Sequence, residues 1–287
     1  MEDVYEFVRM DFSNPIEMDK LVRLQNKVYE GIHIFTDKLF KYWYLDNPNG
    51  KVISFNALSD GEIASHYAVI PIKMEISGRV VKGALSMATV THPNHRGKGL
   101  FKKLAQKTYE CAKEEGLEFI IGVANANSYP GFIKHLGFYE VKQLDVLIGV
   151  KDNIQPNDKK TFQVYYDNDI LKWRINREED YRIRGNHVFG FYPVWKFKRC
   201  PLLHTYMGTI SPELSPSLSL KKSSTLIHPF NLYVGIGSNA KQLGYHKVPS
   251  FIKHSPFHLI FLDLTEGVLP KMNKDNVFFQ LMDFDVA

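Results

Sequence analysis

The chain has 287 residues, 44% of them hydrophobic and 13% aromatic, enough for one large domain or two ordinary ones with a sizeable apolar core. Lys and Arg number 36 against 31 Asp and Glu, and the resulting formal charge of +5 is too diffuse to argue for a nucleic-acid partner. Two cysteines, Cys111 and Cys200, exclude a disulfide framework. The first residues lack a basic start followed by an apolar core, and no apolar run is long enough for a bilayer, so a cytoplasmic protein with no membrane partner is expected.

Residues 5–12 read as a short strand. Asn14-Pro15 opens a helix to about Tyr29, with Met18, Leu21, Val22, Val28 and Tyr29 at helical spacing and Gln25 a polar gap in the stripe. Residues 37–45 form a second helix, ended by Asn47-Pro48-Asn49-Gly50. Residues 52–58 and 63–76 are strands joined by Ser59-Asp60-Gly61, and Ser77-Gly78 turns into a further strand ending at His92-Pro93. The next helix buries Leu100, Leu104, Thr108, Cys111 and Ala112 and ends at Gly116. Residues 119–124 are a continuous apolar run, the pattern of a central strand covered on both faces. A short helix over 130–135 precedes a single strand over 138–150.

The polar residues 151–160 mark a domain boundary, giving domains at 1–150 and 160–287. Strand-like runs follow at 188–197, 202–210, 226–236 and 258–264, with a surface loop at 211–224 that includes Lys221-Lys222. The segment from Asp37 to Trp43 echoes Asp167 to Trp173, and with two identities a true repeat and a chance likeness both stay open. Core packing is the first reading for Trp43, Trp173 and the alternating cluster Phe189, Phe191, Tyr192, Trp195 and Phe197. His254 and His258 have ligand-like spacing but lack a completing set, so no metal is expected.

Residues 91–104 carry the most chemistry. They join an apolar strand to an amphipathic helix through a glycine-bearing turn, and Arg96, Lys98, Lys102 and Lys103 follow one another with no acid between. Lysines in a first helical turn oppose the macrodipole unless an anion sits on the free N–H groups there. Gly97 and Gly99 leave room for a phosphate to approach the main chain, so the run reads as a pyrophosphate cradle. It is not a P-loop, because no Ser or Thr follows Lys98 and the four-residue spacer is absent.

A strand, this Arg-Gly-Lys-Gly turn, a helix, a buried strand and a short helix ending in Leu136-Gly137-Phe138 together resemble the GNAT superfamily of N-acetyltransferases, in particular its larger members with an additional C-terminal domain. Arg96 and Gly99 match the family's acyl-CoA signature, whereas Phe101 stands where Gly or Ala is usual. Thr91-His92-Pro93 and residues 125–132 resemble the same branch, and the match covers about residues 84–140. The resemblance implies an α/β (α+β) fold, a mixed and mostly antiparallel sheet flanked by helices. A strand-rich C-terminal domain follows, with a degenerate GNAT-like half as one form it can take.

By resemblance, the chain is an acyl-CoA-dependent N-acyltransferase. It moves acetyl from acetyl-CoA to a primary amine of a small molecule, with an amino sugar preferred, by direct attack in a ternary complex. The C-terminal domain would cover the acceptor. The rival is a non-catalytic acyl-CoA-binding or sensing module, and the oligomeric state is open, with a dimer among the options. The family places the pyrophosphate on the amides of Arg96, Gly97, Lys98, Gly99, Leu100 and Phe101. It places the pantetheine arm along Ala88, Thr89 and Val90, one of whose amides polarises the thioester carbonyl.

No Asp or Glu lies on the strand over 83–92, so His92 is the candidate base, against a turn role before Pro93. His66 is a second candidate, against a satisfied core histidine, and Ser86 could position water. Where the family often has a Tyr acid the chain has Phe132 or Ile133, which leaves Tyr129 as the candidate acid. Asn125, Asn127 and Ser128 could bind thiolate, pantetheine or substrate, against helix capping.

Overall fold

Short-range signals set most of the elements in this computed structural model, which describes residues 4–30, 35–175, 181–190, 203–214, 230–249 and 255–284. In chain order they are β1 (Glu6–Arg9), α1 (Pro15–Val28), α2 (Asp37–Tyr44), β2 (Ile53–Ser59), β3 (Glu62–Ile76), β4 (Arg79–Thr91), α3 (Leu100–Glu114), β5 (Phe119–Ala124), α4 (Tyr129–His135), β6 (Tyr139–Gln143) and β7 (Asp145–Gly149). Then come β8 (Phe162–Val164), α5 (Asn168–Arg174), β9 (Tyr181–Arg184), β10 (His187–Gly190), β11 (Leu203–Thr209), β12 (Phe230–Ile236), β13 (His246–Lys247), β14 (His258–Asp263) and β15 (Val277–Gln280).

Side-chain caps start α1, α2 and α5. The Asn14 carboxamide accepts the Ile16 N–H at 3.0 Å, Thr36 Oγ1 the Leu39 N–H at 3.2 Å and Asp167 the Ile170 N–H at 2.9 Å. Helix α3 ends in a Schellman turn: Gly116 takes φ 80°, its N–H bonds the Lys113 carbonyl and the Leu117 N–H bonds that of Ala112.

One compact unit consists of Met1–Lys73, Val81–Glu140 and Ile260–Pro270. Its strands run in the order β1-β2-β3-β4-β5, with the Ile260–Asp263 part of β14 beside β5. The β1–β2 and β2–β3 pairs are antiparallel and β4–β5 is parallel. Tyr67, Leu104, Ala112, Ile120, Phe132, Phe138 and Ile260 are part of one apolar cluster that seats α3 and α4 on the sheet. Trp43 is buried as a core anchor. Cys111 departs from expectation: it is only half-buried, and the buried stripe of α3 runs through Leu104, Ala105, Thr108, Tyr109 and Ala112 instead.

The other unit consists of Met74–Val80, Val141–Leu259 and Lys271–Ala287. Its hub is β12, parallel to β11 and antiparallel to β7 and β15, and β9-β10-β11 form an antiparallel set. Helix α5 is the α-helix among its described residues. The single strand expected over 138–150 is divided into β6 and β7. Leu144 breaks it, because its side chain is buried and its N–H turns to the Phe257 carbonyl at 2.8 Å. Phe191, Tyr192, Trp195, Phe197, Cys200, His254 and the Lys221-Lys222 pair lie outside the described residues, as do 215–224 and 226–229. Among the described residues, no helix is long and apolar enough to cross a membrane.

Two strains in this architecture are testable. A Cβ on Gly83 would lie 2.4 Å from the ring of Phe119, which is fully buried and stacked on Phe261. Gly83→Ala is expected to destabilise the fold by about 1–3 kcal/mol in equilibrium denaturation. In the second unit, Asp283 is buried and accepts Tyr166 O–H at 2.8 Å and the Gln280 N–H at 2.7 Å. Burial outweighs these bonds and the nearby Arg174, and pushes its carboxyl up to about 7 from 3.8. The native state then holds a proton that the unfolded chain releases, so this group's contribution falls as pH rises from about 4 to 7. Between about pH 5 and pH 8 the wild type should lose on the order of 2 kcal/mol more than Asp283→Asn, measured by denaturant titration.

Candidate active site

Strands β4 and β5 pair from Gly83↔Phe119 to Ser86↔Gly122, and there the ladder ends. Beyond it the strands splay around a cavity of about 790 Å³, within the range of small-molecule sites. Just past the end of the ladder Ala88 takes φ 52°, the left-handed conformation found in β-bulges. Gln25 of α1 and Tyr29, the residue that caps its end, reach this bulge. Gln25 Nε2 donates to the Ala88 carbonyl at 3.0 Å and Tyr29 O–H to the Thr89 carbonyl at 3.3 Å.

At the end of β4 the chain turns through Arg96–Gly99 into α3. Gly97 and Gly99 take φ 76° and 73°, where a Cβ is strained, and the space a Cβ would fill is open. Gly99 caps α3 without a side chain, so the N–H groups of Leu100, Phe101 and Lys102 have no intrahelical acceptor. No acid lies in that first turn. Arg96 lines the cavity, with its Nε 3.4 Å from the Thr91 carbonyl. Phe101 meets Phe132 edge to face at 5.2 Å, and a Cβ on Gly131 would come within 2.9 Å of the Phe101 ring. Glycine at 131 is what makes room for the bulky residue at 101.

The same stretch matches a known family: residues 11–141 fit the acetyltransferase (GNAT) domain. These residues form a GNAT acetyltransferase domain. Two solved structures share the fold over most of the chain. A probable N-acyltransferase from Enterococcus faecalis has a TM-score of 0.59 at 10% identity, covering 91% of this chain and 73% of that one. A GCN5-related N-acetyltransferase from Kribbella flavida has a TM-score of 0.61 at 11% identity, covering 92% and 72%. At such identities the likeness speaks for the fold. No curated protein matches the chain. The chain thus contains a GNAT acetyltransferase domain, of a family that uses acyl-CoA.

Within the GNAT domain, Ala88, Thr89, Val90, Arg96, Phe101, Asn125, Asn127 and Ser128 all line the cavity. Gly97, Lys98, Gly99 and Leu100 form the adjoining turn and helix start, with the Leu100 side chain buried in the core. Asn125 serves the local fold: its Oδ1 accepts the N–H groups of Asn127 and Ser128, each at 3.0 Å, and so shapes the entry to α4. His92 is not on the cavity wall. Its Nδ1 accepts the Asn94 N–H at 3.2 Å, and burial, followed by Lys27, His95 and Arg96, lowers its pKa. Tyr129 directs its hydroxyl to Glu140 Oε2 at 2.8 Å, away from the cavity, and this bond chiefly raises its pKa. His66 is a satisfied core histidine, fully buried, with Nδ1 2.7 Å from Asn56 Oδ1.

A group of hydroxyls was not foreseeable. Tyr67 O–H lies 2.7 Å from Ser86 Oγ and 2.6 Å from Tyr109 O–H, a chain that reaches the cavity at Ser86. Burial raises both phenols, so they stay neutral. Tyr67 sits in an unbroken apolar-looking strand, and nothing in the local pattern sets it apart. Among the described residues lining the cavity there is no Asp, Glu or His. The second unit has its own cavity of about 480 Å³, lined by Glu75, Asp167, Glu213 and Asp283, and such acidic walls are unsuited to the phosphates of CoA.

The histidine assignment has a direct check. Burial pushes His66 down to about 3 from 6.5, so its contribution to stability is lost as pH falls from about 6.5 toward 3. In an NMR titration the His66 ring should show no protonation between about pH 8 and pH 5.

Proposed function

We propose that the GNAT domain transfers an acetyl group from acetyl-CoA to the primary amine of a small molecule by direct attack in a ternary complex. The supporting observation is one continuous cavity that begins at Arg96 and Phe101 and ends at the Ser86–Gly122 vertex of the splayed strands. The CoA pyrophosphate would sit on the free N–H groups at the start of α3, with Arg96 adding charge-assisted bonds. The pantetheine arm would lie along Ala88–Val90 and fill the gap that β5 leaves. The amine nitrogen attacks the thioester carbon, the carbonyl oxygen takes up negative charge against a β4 amide, and the C–S bond breaks. The thiolate leaves, and the proton lost by the nitrogen goes to solvent or to the thiolate.

The absence of carboxylate and imidazole groups from the described cavity wall shapes the choice of acceptor. With no base there, the amine has to arrive neutral. An α-amino-type amine, with pKa near 8, is neutral far more often at physiological pH than an alkylamine near 10.4. Amino sugars belong to this less basic group and are the preferred acceptors. The rate should climb with pH until the acceptor's own pKa is passed. The same bare wall favours a second reading, a module that binds acyl-CoA without turnover. Stoichiometric CoA release against a panel of amino sugars, α-amines and alkylamines separates the two. Tight CoA binding with no amine acylated would favour the binding module.

The cradle itself is tested by Gly99→Asp. This change puts a carboxylate where the pyrophosphate should dock and asks Asp to adopt φ 73°, which it tolerates better than most residues. CoA affinity by calorimetry should fall about a hundredfold while the circular dichroism spectrum is retained. Unchanged affinity in the folded variant would contradict the cradle.

A further inference from the structure

We infer that Gln25 is a positioning residue of the acyl-transfer site: from α1 it holds the bulged Ala88–Thr89 peptide so that the Thr89 N–H is the donor that polarises the thioester carbonyl. The inference rests on the acyl-CoA reading of the cavity and names the residue that orients its oxyanion donor.

Gln25 is an anomaly in α1. It is fully buried beside Met18, Leu21 and Leu24, where an apolar side chain is expected. Its Nε2 bonds the Ala88 carbonyl, while its Oε1 has no hydrogen-bond partner. A buried carboxamide with an orphaned oxygen is costly, and a methionine of similar shape would fill the space without that cost. Stability therefore does not account for the glutamine.

Position does. The β4–β5 ladder stops at Ser86↔Gly122, so strand pairing with β5 no longer orients the peptides that follow. Ala88 holds φ 52°, a conformation disfavoured for a residue with a Cβ and kept only where surrounding contacts impose it. Helix α1 supplies those contacts. A trans peptide is planar, with its C=O and N–H on opposite sides. Tying the Ala88 carbonyl to Gln25 turns the Thr89 N–H away from α1. Tyr29 does the same one peptide later, through the Thr89 carbonyl. Burial keeps the Tyr29 phenol protonated, and so a donor, with Arg96 opposing only in part. Tyr29, Ala88, Thr89 and Val90 all line the cavity. The amide is thus fixed before any ligand arrives, as an oxyanion donor has to be.

The test is isotope-edited infrared spectroscopy of carbonyl-labelled acetyl-CoA bound to the full chain, which needs no acceptor. On the wild type the thioester carbonyl stretch should move to lower frequency than in free acetyl-CoA. Gln25→Met should lose at least half of that shift, with CoA affinity within about twofold and an unchanged or higher melting temperature. Gln25→Glu supplies a second readout, because a carboxyl donates only while protonated: its shift should be present at low pH and disappear as pH rises. A wild type that binds acetyl-CoA without a shift overturns the inference, as does a folded Gln25→Met with the full shift or a Gln25→Glu shift independent of pH. A wild type that binds no CoA sinks the acyl-transfer reading itself, a separate and distinguishable result.

Discussion

The site depends on a strand that cannot stay paired. Strand β4 pairs with β5 only as far as Ser86, and two residues later Ala88 takes a left-handed φ of 52°. A parallel pair buried on both faces normally closes every ladder bond. Here the pairing stops at Ser86↔Gly122 and residues of both strands line a cavity, and main-chain groups freed from a ladder need partners. An extended ligand arm rich in amides is one that can fill the gap and behave as a strand. Gln25 and Tyr29 satisfy two of the carbonyls of this segment, those of Ala88 and Thr89.

The electrostatics follow from the same geometry. At one end of the gap, the uncapped start of α3 presents bare N–H groups with Arg96 beside them and no acid in the first turn. The other end, at Ser86 and Gly122, is neutral and is bordered by Ile260 and the Ser86–Tyr67–Tyr109 chain of hydroxyls. In the proposed complex, charge would hold the nucleotide tail and uncharged groups would surround the reacting carbonyl. Under the proposed function, such a site would accelerate transfer by orientation and by a fixed dipole.

Departures from the family pattern come in compensating pairs. Phe101 replaces a small residue of the acyl-CoA signature, and Gly131 on α4 removes the side chain that would meet it. Phe132, which with Ile133 occupies the region where the family often has a tyrosine, packs on Phe101 and Phe138. Tyr129, the nearest phenol in sequence, is engaged with Glu140. The start of α4 has thus been given over to packing.

Features set by neighbours in sequence were legible without coordinates. The Asn14-Pro15 cap, the Gly116 stop, the continuous apolar run of β5 and the glycine turn before α3 each depend on a few adjacent residues, whose backbone preferences act before any tertiary contact forms. The polar gap at Gln25 was visible as well, though its partner was not. What joins Gln25 to Ala88, Tyr67 to Ser86 and Tyr109, and Ile260–Pro270 to the first compact unit is distance along the chain. So is the bond from Leu144 to Phe257 that divides one expected strand into two. Such bonds form between groups brought together by packing, and a hydroxyl or carboxamide looks the same in sequence whether or not a distant carbonyl awaits it. The sequence by itself determined the elements and the glycine turn before α3; only the tertiary structure decided which buried polar groups would meet at the splayed strands, because that depends on where the whole sheet sets them.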